Sequence, residues 1–158
     1  MMKRIFIVAF VGVFLGVGIV AYAAEAPKTI KVGSSCSLTG PFGSGGAMCK
    51  AGYEIAIEHI NAKGGVFVGE FNKKIPLELV LMDDESNFTL TVSRMESLYT
   101  SHDVVAYLGG FSSPMHAAQA PVAEKNKVPI LMVATYLYSV HQKGYKYNFS
   151  PFPKSPDC

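Results

Sequence analysis

Residues 105–133 read VAYLGGFSSPMHAAQAPVAEKNKVPILMV. An apolar run, Val104 to Leu108, halts at Gly109-Gly110, and two serines, Ser112 and Ser113, follow. Pro114 stands where the first turn of a helix tolerates proline, because the N–H that proline lacks has no intrahelical partner there. A helix from Pro114 to about Asn126 then leads into a second apolar run, Pro129 to Val133. Strand, turn, helix and strand within so short a span make a unit whose two strands lie parallel in one sheet.

The same alternation extends in both directions. Upstream, Leu77 to Met82 reads as a strand ending at Asp83-Asp84-Glu85. Asn87 or Thr89 caps the helix that follows, with Val92, Met95, Leu98 and Tyr99 as its buried stripe. Thr29 to Ser35 is a first strand. Ala47 to Ala62 is a helix whose Met48, Gly52, Ile55, Ala56 and Ile60 share one face. Gly64-Gly65 ends that helix by accepting left-handed dihedrals. Downstream, YKYNF (145–149) is a candidate fifth strand. Short all-apolar strands alternating with helices predict a parallel sheet covered on both faces, a three-layer α/β/α sandwich. Ligands of such sheets bind outside the carboxyl ends of the strands, so the loops after them hold the candidate site.

The N-terminus reads as an address. A basic head, Lys3-Arg4, an apolar stretch from Ile5 to Val20 and the small-x-small Ala21-Tyr22-Ala23 predict a cleavable signal peptide over residues 1–23 and export to the periplasm. With Lys3 and Arg4 gone, the 14 basic residues fall to the 12 that the acidic ones number. A neutral exported domain carries no electrostatic footprint for nucleic acid. Residues 24–150 then form one lobe, and the proline-rich 151–158 form a tail with no packing pattern of its own. Cys36 and Cys49 either close the glycine-rich loop between them as a disulfide or stay two small unpaired hydrophobes; Cys158 is left over. The four scattered histidines and the lack of paired Cys-x-x-Cys argue against a metal, and no cofactor is expected.

Each loop offers chemistry. The first, SLTGPFGSGGAM (37–48), fails both phosphate-binding patterns: no Gly-Lys-Ser/Thr opens the helix, and Met48 replaces the third glycine of the dinucleotide motif. The carboxylates Asp83, Asp84 and Glu85 suit backbone orientation ahead of a helix more than acid–base work. In the third loop, Ser112 and Ser113 with the free N–H groups of a helix start make an uncharged anion site. Capping by Ser113 alone would explain one serine but not Gly109-Gly110, which lets backbone approach something closely. A nucleophilic serine fits poorly, since Pro114 ends the stretch where the Gly-x-Ser-x-Gly elbow needs glycine. No enzymatic activity is expected. After the fourth strand, Ala134, Thr135, Tyr136, Tyr138 and Ser139 offer carbonyls and hydroxyls to an ammonium group.

Three segments, IKVGSSCSLTGPFGSGGAMCKAGYEIAIEHINAKGGV, IPLELVLMDDESN and VVAYLGGFSSPMHAAQAPVAEKNKVPIL, resemble in order the leucine/isoleucine/valine-binding protein family. These are type I periplasmic solute-binding proteins that feed ATP-driven importers. The resemblance spans Lys28 to Pro151 and implies an amino acid of the branched-chain type, or a similar carboxylated or amide solute, as ligand and an ABC-importer membrane permease as partner. It implies carboxylate binding at Ser112 or Ser113, contacts from Ala134, Thr135 and Tyr138, and an aromatic contact from Phe42. Family members carry two lobes, so the chain is expected to be one lobe of a longer protein and to bind weakly by itself. A ligand-sensing domain of a receptor, which shares the lobe fold, is the alternative.

Overall fold

The computed structural model describes residues 25–151 and 153. The predicted signal peptide, Cys158 and most of the rest of the tail lie outside them. Strands β1 (Ile30–Cys36), β4 (Leu77–Asp83), β5 (Ala106–Leu108), β6 (Ile130–Leu131) and β7 (Asn148–Phe149) form one sheet in the order β4-β1-β5-β6-β7. Every neighbouring pair in it is parallel, from Ile30 opposite Leu77 at one edge to Leu131 opposite Phe149 at the other. A separate antiparallel hairpin, β2 (Val66–Val68) with β3 (Lys73–Ile75), follows the first helix and is absent from the sequence-based expectation.

Side chains alternate across a strand, which assigns the helices to layers. A Cβ at Gly33 would meet Leu98 of α2 (Phe88–Thr100) at 2.9 Å. Cys36, three residues on and therefore on the other face, sets its thiol against Gly46 of α1 (Gly43–Ala62). Helix α3 (Ser113–Asn126) packs beside α2, and a short α4 (Tyr138–His141) follows β6. The result is the expected three-layer α/β/α sandwich. Its main core lies on the α2–α3 side, where Met95, Leu98, Tyr107, Ala120, Ala123, Ile130 and Met132 are inaccessible to solvent. The Asn87 side chain caps α2, accepting from the N–H groups of Thr89 and Leu90 at 2.9 Å each.

Two expected stripes are corrected. In α1, Met48 is 76% and Ile55 67% exposed, and Gly52 and Ala56 are exposed as well, while Gly45, Gly46 and Tyr53 turn inward. The cause is the glycine-rich first turn: a Cβ at Gly46 would overlap the Ser37 carbonyl, so only glycine permits this approach, and the approach fixes the rotation of the helix. In α2, Tyr99 at the last turn is exposed, whereas Met95 and Leu98 are buried as expected. Helix α1 packs on β4 and β1. Farther along that sheet face Leu131 and Phe149 are 41% and 54% exposed.

Candidate functional site

The loops after β1, β4, β5 and β6 converge at the carboxyl edge of the sheet and are stitched together by named bonds. Asp83 accepts from the Leu38 N–H at 2.9 Å, the Thr39 hydroxyl at 2.8 Å and the Glu85 N–H at 2.8 Å. Burial pushes the Asp83 carboxyl up, yet these donors outweigh it and hold the group below its usual range. Asp84, fully buried, accepts from Ser37 at 2.6 Å, from Ser35 at 3.1 Å and from the Ser86 N–H at 3.1 Å. The carboxylate cluster thus fastens the first loop to the second, the orienting role expected of it. Phe42 is half-buried and donates its N–H to Ser86 Oγ at 3.1 Å.

The third loop is held from behind by a buried polar network. Gln119 of α3 donates to the Ser35 carbonyl at 2.9 Å and to Thr91 Oγ1 at 3.0 Å, and accepts from the Gly110 N–H at 3.3 Å. Tyr53 of α1 donates to the Gly109 carbonyl. The glycine pair is explained here by protein, not ligand. A Cβ at Gly110 would sit 2.7 Å from the Ser35 carbonyl oxygen, and one at Gly109 would run into the His116 ring. Likewise a Cβ at Gly45 would strike the Phe111 ring, so the third loop and the start of α1 pack directly.

Ser112 is the N-cap of α3 in position only. Its φ is +79°, a left-handed value costly for a residue with a side chain, and its hydroxyl makes no capping bond. That hydroxyl is buried with no partner. Its carbonyl accepts from His116 Nδ1 at 2.8 Å, which makes Nδ1 the protonated nitrogen of the ring. Ser113 Oγ accepts from the Tyr136 N–H at 3.0 Å, drawing the fourth loop against the third and leaving the Ser113 proton free to be donated. Pro114 contributes no N–H, so the free donors of the first turn are those of Ser113 and Met115.

Of the other expected residues, Thr135 is fully buried, its Oγ1 accepting from the Leu137 N–H at 3.3 Å, and Ala134 is half-buried. Tyr138, the first residue of α4, is 40% exposed. The structure therefore brings Ser112, Ser113 and Thr135 to one rim, while Phe42 is bonded to the second loop through Ser86. Sequence reasoning missed Ser37, Tyr53 and Gln119, which position the loops. The signal for the first was there: serines at 34, 35 and 37 in and just past a strand buried on both faces need partners. A hollow lined by Pro27, Thr29, Ile30, Lys31, Asp103 and Val105 lies at the opposite, amino edge of the sheet and shares nothing with this chemistry.

A family model described as periplasmic binding protein matches residues 29–157. The chain is 32% identical over 136 residues to Leu/Ile/Val-binding protein homolog 7 of Brucella abortus (strain 2308), covering 85% of this chain and 32% of that protein. It superposes with a TM-score of 0.72 and 28% identity on the branched-chain amino acid transporter substrate-binding protein LivJ from Streptococcus pneumoniae, solved with isoleucine, covering 80% of this chain and 34% of that one. The leucine-binding protein LivK from Thermotoga maritima gives 0.68 and 26%, covering 81% and 34%. The chain spans about a third of the length of the curated relatives it matches.

Proposed function

The chain belongs to the periplasmic binding protein family, and from that we propose that it is part of an exported solute-binding component of an ABC importer, taking a branched-chain amino acid or a similar carboxylated solute at the serine rim and delivering it to a membrane permease. One observation carries the site assignment: the Ser112 hydroxyl is buried, unpartnered and held at a left-handed φ. A buried hydroxyl without a partner is costly, and a bound carboxylate oxygen would satisfy it. The Ser113 O–H and the first-turn N–H groups would complete an uncharged carboxylate cradle. Binding rather than acyl transfer is supported by His116, whose Nδ1 engages the Ser112 carbonyl and not its hydroxyl.

Heteronuclear NMR titration of the chain with isoleucine, leucine and valine tests the proposal, since it detects millimolar binding. Amide shifts are expected to cluster at Ser112, Ser113, Met115 and Thr135. Ser112→Ala should weaken binding by about 1.5–3 kcal/mol, the worth of a hydrogen bond to a charged group, or roughly 10- to 150-fold. Shifts centred elsewhere, or an unchanged affinity in Ser112→Ala, would remove the rim as the site.

A further inference from the structure

We propose that Cys36 and Cys49 are the two halves of a dithiol–disulfide site that joins the end of β1 to the second turn of α1 and closes the first loop of the candidate site. Cys36 is the last residue of β1, and its thiol donates to the Gly46 carbonyl at 3.4 Å. Cys49 lies one helical turn beyond Gly46 on the same inward face of α1. The Cys49 thiol faces the Gly110 carbonyl at 3.9 Å, and a Cβ at Gly110 would lie 3.5 Å from Cys36 Cα, so the two cysteines are neighbours there, and both thiols are free. The close approach that glycine permits at position 46 is what brings the strand end and the helix together, with a Cβ there only 3.3 Å from Cys36 Sγ. Between the two sulfurs runs the loop that carries Leu38, Thr39 and Phe42, and Cys49 also points its thiol toward the Gly110 carbonyl of the third loop, 3.9 Å away. A bond here therefore fixes the segment from which the first-loop aromatic contact comes.

The environments assign the order of attack. Cys36 is fully buried, whereas Cys49 is half-buried and open to a reagent. The neighbouring Cys36 thiol lowers the Cys49 thiol against the opposing effect of burial, while Cys49 beside it and then burial raise Cys36. With a disulfide oxidant such as oxidised glutathione, the Cys49 thiolate attacks one glutathione sulfur. The glutathione S–S bond breaks, one glutathione leaves and takes up the proton that Cys49 gave up, and a Cys49–glutathione disulfide remains. Cys36 then loses its proton, attacks the Cys49 sulfur and displaces the second glutathione. Two protein thiols are oxidised and one oxidised glutathione is reduced to two thiols.

The test uses the full chain with Cys158→Ser, which removes the third thiol. Both sulfurs fall in one tryptic peptide, Val32–Lys50. After equilibration with a series of reduced-to-oxidised glutathione ratios, that peptide is expected ~2 Da lighter and inert to iodoacetamide. The oxidised chain should melt several degrees higher than the reduced one, because the cross-link restricts the unfolded state. In the folded single variants, Cys36→Ser should trap Cys49 as a glutathione adduct, while Cys49→Ser should leave Cys36 unmodified. A peptide still alkylated at both sulfurs in the most oxidising mixture, or carrying a glutathione on each, would overturn the proposal, and neither outcome depends on the single variants folding. Equal glutathione capture by the two single variants would overturn the order of attack.

Discussion

At the scale of single residues, the third loop rests on a histidine that cannot easily take a proton. His116 is buried in α3 against Gly109, with Nδ1–H given to the Ser112 carbonyl and Nε2 unpartnered. Burial lowers its proton affinity, and the carbonyl bond only partly opposes that. The unfolded chain takes up a proton near the usual histidine value of 6.5, whereas the folded chain does so only at lower pH. Stability from this group is therefore complete above that value and declines as pH falls through it toward the lowered folded value. Chemical denaturation between neutral pH and about pH 5 is expected to show a stability slope that His116→Gln flattens. An identical slope in the variant would mean that other groups set it. Gly109 and Gly110 show how legible this region was. Their smallness was plain in the sequence, but its cause was not. The residues that crowd them, Ser35 and His116, lie on another strand and a later helix, and no local pattern announces a contact made across the fold.

At the scale of elements, the strand–helix alternation was readable because period and punctuation act locally: Pro114 opens α3, Asn87 caps α2 and Gly64-Gly65 follow α1. Which side of a helix faces the sheet is decided by packing instead. The apolar stripe of α1 pointed to Met48 and Ile55, yet Gly43 and Gly46 admit the backbone close to the first loop and Gly45 admits the Phe111 ring of the third, and Tyr53 turns inward. The place of Ser112 and Ser113 at a helix start was legible in the sequence because helix starts advertise themselves, while the network behind them was not. Gln119 ties α3 to β1, α2 and the third loop at once. Gln119→Leu removes that amide and strands the Gly110 N–H and the Ser35 carbonyl, so it should cost about 1–3 kcal/mol of stability in urea titration. A loss below a few tenths would show that the network is dispensable.

At the scale of the whole molecule, the two sides of the sheet are unequal. The α2–α3 side holds a continuous core, while on the other side Met48, Ile55, Leu131 and Phe149 remain open to solvent. Apolar side chains that stay largely exposed, as Met48 and Ile55 do, contribute little to folding, since they lose little contact with water when the chain folds. If α1 were rotated as its stripe suggests, Met48 and Ile55 would be core residues, and cutting back either would cost roughly 2–5 kcal/mol. In the observed packing their replacement should be nearly neutral. The double variant Met48→Lys/Ile55→Lys is therefore expected to keep its denaturation midpoint within about 0.5 kcal/mol of the parent per position. It should also bind less of a hydrophobic dye such as anilinonaphthalene sulfonate, because two of the exposed apolar groups are gone. A large fall in stability with unchanged dye binding would place these side chains in a core and reverse the assignment of the buried face of α1.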